Sequence, residues 1–258
     1  MNTAGESELP PRVEVGDALA ARAAPDGTGA IVTVARRQLL NVFVPAIVVL
    51  NALNAIAVYL YHHRDHHGGR FFSTFSLDRE ANVPSWFSSA LLLSAAALLA
   101  LVALDAFSRR ERWARHWAGL ALVYVVLSLD ETAEIHERIG SWLRAHLNLS
   151  GPLHYAGVIP ALALAVFVGI AYVRFLRALP RATRRGILAA ATVYISGAAG
   201  VEALTGWWAE SHGSRSTALL LVSTVEENLE MIGTALFILV VLSYFATFGR
   251  PVSLRAGR

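Results

Sequence analysis

The chain has 258 residues, 55% of them hydrophobic, with a mean hydropathy of +0.49 and a net charge of +3. A water-soluble globule of this length needs more polar surface than that composition supplies, so the surplus apolar surface is expected to face lipid. Every basic residue is arginine, set in short clusters between apolar runs, a topology signal rather than a nucleic-acid patch; the absence of cysteine excludes disulfides, thiolate metal ligands and cysteine nucleophiles.

Residues 1–36 are polar and small, with Pro10-Pro11 and Asp26-Gly27, and read as a mostly disordered cytoplasmic tail without a removable signal peptide. Six apolar stretches follow, each near the roughly 20 residues that cross a hydrocarbon core of about 30 Å. They run from Leu39 to Tyr61, Trp86 to Phe107, Trp113 to Glu134, Tyr155 to Phe175, Gly186 to Trp207 and Ser223 to Phe248. Residues 249–258 form a second cytoplasmic tail. The predicted fold is therefore all-α, a polytopic bundle of six transmembrane helices over residues 37–248. Threaded this way, sixteen arginines fall on the side of the two termini and six on the other. By the positive-inside rule both termini are cytoplasmic, and an inner membrane is the expected location, with lipids as the expected surroundings and no nucleic-acid partner.

Chemistry-bearing residues gather on the outer side. On the third helix, at 100° per residue, Asp130, Glu131, Glu134 and Glu137 share a face about 120° wide. The sixth repeats the acid-acid-x-x-acid spacing with Glu226, Glu227 and Glu230, and Glu202 at the outer end of the fifth can join them. Crowded carboxylates in a partly dehydrated site need cations or raised pKa values, so these seven positions, Asp130, Glu131, Glu134, Glu202, Glu226, Glu227 and Glu230, are candidate metal ligands. A carboxylate shell suits Mg²⁺, Mn²⁺ or Ca²⁺; imidazole moves the preference towards Zn²⁺ or iron. On the same wheel His136 lies at about 240° and points away from the acid face. The competing reading is a wet interface in which the acids pair with Arg138, Arg144 or Arg70.

A secondary candidate is the run His62-His63-Arg64-Asp65-His66-His67 after the first span. On a continuing helix His62/His66 and His63/His67 are i, i+4 pairs able to chelate a metal. Asn51, Asn54, Ser94, Thr192 and Ser196 lie deeper and are expected to hydrogen-bond between helices. Inward continuation of the acid faces reaches Val123, Val126 and Leu127 on one helix and Phe237, Val241 and Tyr244 on the other, an apolar floor.

The segments Ser128-Leu129-Asp130-Glu131 to His136-Glu137-Arg138, Pro180-Arg181-Ala182-Thr183-Arg184-Arg185 and Glu226-Glu227-Asn228-Leu229-Glu230-Met231 resemble those of a widespread group of uncharacterised bacterial multi-pass membrane proteins. That resemblance implies the topology and no mechanism. Two classes of function fit the acids: a metal-dependent enzyme acting on a lipid-like amphiphile at the outer face, or a cation- or proton-coupled carrier. A structural partner in a membrane complex is the third possibility.

Overall fold

The computed structural model describes residues 28–63, 69–212 and 217–248, and over these the protein is entirely helical. The helices are α1 (Thr28–His63), α2 (Gly69–Phe75), α3 (Val83–Ser108), α4 (Ala114–Ala133), α5 (Ile135–Leu147), α6 (Val158–Ala178), α7 (Arg181–Ile195), α8 (Glu202–His212) and α9 (Thr217–Phe248). A 3₁₀ turn, Gly151–Leu153, precedes α6, and a π-helical segment, Ser196–Val201, joins α7 to α8. The two tails expected from the sequence lie, except for residues 28–36, outside the described residues. Residues 28–36 open α1, which begins well before the apolar run at Leu39.

Five segments are long and apolar enough to cross a membrane: Arg36–His63, Val83–Ser108, Val158–Ala178, Arg181–Glu210 and Thr217–Thr247. These make the chain a membrane protein by length and composition. The remaining apolar stretch, α4, carries Arg115 and His116 near one end and Asp130 and Glu131 near the other, which shortens its uninterrupted apolar run.

The core is built by α3, α4, α7 and α9 around Leu99, Trp117, Ile187, Met231 and Val241, with Phe175 of α6 packed into it. Helices α3 and α4 form an antiparallel hairpin joined by residues 109–113. Near its open end the Ser89 and Ser128 hydroxyls lie 2.9 Å apart, and the Ser128 hydroxyl also donates to the Ser89 carbonyl. Close backbone approach fixes α7 and the π segment against α9: a Cβ on Gly233 would stand 2.7 Å from the Tyr194 nitrogen, and one on Gly197 would stand 2.8 Å from the Glu226 carbonyl oxygen.

Polar side chains within the spans divide into two groups. Asn51 and Asn228 exchange amide hydrogen bonds of 2.8 Å, and Asn54 donates to Thr224 and accepts from the Leu77 N–H, so α1, α9 and the loop after α2 are tied together. Ser94, Thr192 and Ser196 instead donate to carbonyls of their own helices, at Ala90, Leu188 and Val193, rather than bridging helices as the sequence suggests. A hydroxyl in hydrocarbon that can reach the carbonyl three or four residues back needs no partner helix.

Candidate metal centre

One residue decides the local geometry. The third apolar helix does not continue through its acid motif: Glu134 lies in the left-handed region (φ 54°, ψ 39°), closing α4 and opening α5. Angles read on a continuous helix therefore fail beyond Ala133. His136, expected to point away from the acids, is swung back onto them. Its backbone N–H donates to Asp130 Oδ1 at 2.8 Å, and its Nδ1 donates to Asp130 Oδ2 at 2.8 Å. Glu137 follows on the first turn of α5.

Glu80 completes the arrangement from the far side of the hairpin, in the segment between α2 and α3. That segment is pinned at several points. Leu77 is buried and its N–H donates to Asn54; Asn82 donates to the Ser76 carbonyl and caps α3 in a reciprocal box with Ser85. Ala81, directly after Glu80, takes a left-handed conformation (φ 55°), which costs a residue with a Cβ on the order of 1 kcal/mol. With the loop held there, Glu80, His136 and Glu137 each offer a ligand atom, all within 4.8 Å of one another.

The electrostatics of this trio are those of a site short of positive charge. Glu80 Oε2 is buried and has no hydrogen-bond partner. Burial, and after it the charge of Glu137, pushes the Glu80 carboxyl up to about 8 despite the neighbouring imidazole. Burial works against a charged His136, but the hydrogen bond and charge of Asp130, with Glu202 and Glu80 behind it, carry the imidazole up to about 9. Glu137 is raised by burial and by Glu134, with His136 opposing. Among the described residues the ion pair of these clustered acids is His136–Asp130; the other ion pairs, made by Arg109 with Asp105 and Glu111, lie at the opposite end of the bundle. Among the described residues no ion pair joins Arg70, Arg138 or Arg144 to these acids.

Other candidates arrange around the trio in two tiers. Glu202 stands beside it: its carboxylate accepts from the Val158 N–H, and a Cβ on Gly157 would lie 2.9 Å from both Glu202 Oε1 and His136 Cδ2. Glu226 neighbours Glu202. Deeper, Glu131 and Glu230 line a small cavity with Ser88, Met231 and Thr234, and Glu230 is hydrogen-bonded to the Tyr194 hydroxyl. Glu227 lies among Glu131, Glu230 and Glu226. Below them Tyr124 stacks on Phe237 at 4.5 Å, and Phe237 and Val241 are buried, whereas Val126 is exposed. The apolar floor is therefore built by α9 and Tyr124, with Val126 turned out of it.

A family model described as a domain of unknown function (DUF8692) matches residues 40–245. The chain belongs to that family. The DUF8692 match takes in every residue of the trio and both tiers. Searches of curated proteins and of solved structures find no match for the chain.

The four-histidine run behaves differently. His62 and His63 end α1, their Nδ1 atoms 3.0 Å from the Val58 and Tyr59 carbonyl oxygens, and His62 Nε2 lies 3.0 Å from the Thr217 hydroxyl. His66 and His67 lie outside the described residues. Sequence reasoning missed Glu80 and set His136 aside. The signals for Glu80 were the Asn82-x-x-Ser85 capping motif and the apolar Phe72 and Leu77 before it, which anchor its loop to the bundle.

Proposed function

We propose that this protein is a six-span membrane enzyme that uses a divalent metal, held by Glu80, His136 and Glu137 at the outer face, on a lipid-like amphiphile. The observation that carries this reading is the convergence of Glu80, from the loop before α3, on the adjacent His136 and Glu137 at the start of α5, with Asp130 gripping the imidazole. With Nδ1 engaged by Asp130, Nε2 is the nitrogen free to bind metal, the carboxylate–histidine–metal relay that fixes ring orientation and raises ligand basicity. One imidazole with two carboxylates is a mixed set that suits Zn²⁺, Mn²⁺ or Fe²⁺ better than Mg²⁺ or Ca²⁺. Three protein ligands leave coordination positions for water and substrate, and a bound metal would polarise a substrate oxygen or supply hydroxide at neutral pH. Glu202 and Glu226, next to the imidazole, are placed to shuttle a proton.

The carrier alternative requires a path from the acids towards the other end of the bundle. The closed layer of Tyr124, Phe237 and Val241 beneath the deeper tier favours chemistry at one face.

Elemental analysis of the detergent-purified full chain tests the proposal. Wild type is expected to hold close to one transition metal per chain, and Glu80→Gln or His136→Ala to lower the content by about tenfold or more, with unchanged gel-filtration profile. Glu134→Gln is expected to leave it intact. Metal-free wild type, or variants that keep their metal, would remove the centre.

A further inference from the structure

A groove of about 690 Å³ opens between α6 and the π segment with the start of α8, a size at which pockets accommodate whole small ligands. One wall is Val158, Leu162, Val166 and Phe167; the other is Ala199 and Ala203, whose small side chains leave the width. No titratable side chain lines it. From Val158 to Phe167 it follows α6 for about 13 Å at 1.5 Å per residue.

Both walls belong to segments built to cross a membrane, and Leu162, Val166 and Phe167 are exposed along the mouth. At that depth the surrounding medium is hydrocarbon, so the groove opens sideways to lipid rather than to water. At its Val158 end the lining is completed by Pro152 and Leu153, and the polar groups stand directly behind it. The Val158 N–H is held by the Glu202 carboxylate, and Gly157 packs against Glu202 Oε1 and the His136 ring. An apolar slot open to hydrocarbon therefore ends beside the cluster of His136 and several carboxylates, its lining residues Val158 and Ala203 being the chain neighbours of Gly157 and Glu202.

We infer that this groove seats the hydrocarbon chain of a single-chain fatty acyl amphiphile, which enters laterally from the leaflet on the side of the metal centre and places its oxygen-bearing head beside His136 and Glu202. The chain's position follows from the groove alone; only the role of the head rests on the metal-centre reading. A free water-soluble substrate would leave the slot to bulk lipid, and a bulky two-chain lipid would have to keep its second chain outside the wall of α6.

Photolabelling tests this directly. The full chain is reconstituted in phosphatidylcholine vesicles with a trace of palmitate carrying a mid-chain diazirine, irradiated, and its adducts are mapped by peptide mass spectrometry. Adducts are expected to concentrate on residues 158–167 and 199–203, roughly tenfold above the exposed face of α1 around Val42 to Val49, the ratio that about 1.4 kcal/mol of preference produces. Excess unlabelled palmitate should erase that enrichment. Ala199→Phe and, separately, Ala203→Phe should abolish it without changing metal content or elution. Adducts spread evenly over α1, α3 and α6, or labelling that palmitate does not compete, would overturn the inference. Glu80→Gln separates the two readings: retained groove labelling with lost metal supports both, whereas labelled wild type without metal sustains the groove and sinks the metal centre.

Discussion

Glu134 sits where a glycine is the usual choice, at the left-handed position that closes one helix and turns the chain into the next. A residue with a Cβ pays about 1 kcal/mol or more for that conformation, and the turn is what brings His136 back to Asp130. Glu134→Gly is therefore expected to raise the unfolding free energy in detergent by about 1 kcal/mol with full metal content. Lost metal would restore Glu134 to the ligand set that the sequence suggests. Asp130 acts differently, through His136 rather than on the metal. Asp130→Asn keeps a hydrogen-bond partner for Nδ1 but removes the charge that raises its basicity, so chelator competition should show metal affinity weakened by roughly 10–100-fold. Affinity within twofold of wild type would contradict the orienting role; rescue by Asp130→Glu would support it.

Helices were legible wherever periodicity or simple apolar length governs, whereas Glu80, His136 and Glu137 are not among the seven acids that the spacing singles out as candidate ligands. The acids of α9 and those at the end of α4 gather at one end of the bundle as the repeated spacing implies. What the sequence hid lies at breaks in periodicity. No glycine or proline marks the turn at Glu134, so a 100° step carried His136 to the wrong face. The π segment Ser196–Val201 takes an extra residue per turn, offsetting Glu202 from any wheel drawn through α7. Glu80 stands in a loop whose position depends on long-range contacts to Asn54 and Phe72. At this scale Gly140 is the sensitive point. A Cβ there would run into the backbone of Ala156 and Gly157, where α5 crosses the start of α6. Backbone yields less readily than a side-chain tip, so Gly140→Ala should cost about 1–3 kcal/mol and lower metal content by displacing α5 with Glu137. Unchanged melting and metal loading would mean that α5 does not position the centre.

For the whole molecule, the number of crossings decides where the centre faces. α3 is 26 residues long, about 39 Å at 1.5 Å per residue, and α4 is 20 residues, about 30 Å, close to the hydrocarbon thickness. The two are joined by residues 109–113, and the Ser89–Ser128 contact shows that α4 returns to the level at which α3 began. If α3 crosses the membrane, α4 crosses back, and its intruding charges lie at the two interfaces, with Trp117 buried between. Six crossings with arginine-rich loops inside place Ser108 and Ala182 in the cytoplasm and Ser150, near the metal centre, outside. Because the chain has no cysteine, single substitutions report this cleanly. Ser150→Cys should react with a membrane-impermeant maleimide on intact cells, and Ser108→Cys and Ala182→Cys only after permeabilisation. Five crossings with α4 remaining on the cytoplasmic side would protect both Ser108→Cys and Ser150→Cys and expose Ala182→Cys. An inverted six-span bundle would expose Ser108→Cys and Ala182→Cys together and put the acids in the cytoplasm. Only the first pattern lets the groove and the centre work on the outer leaflet.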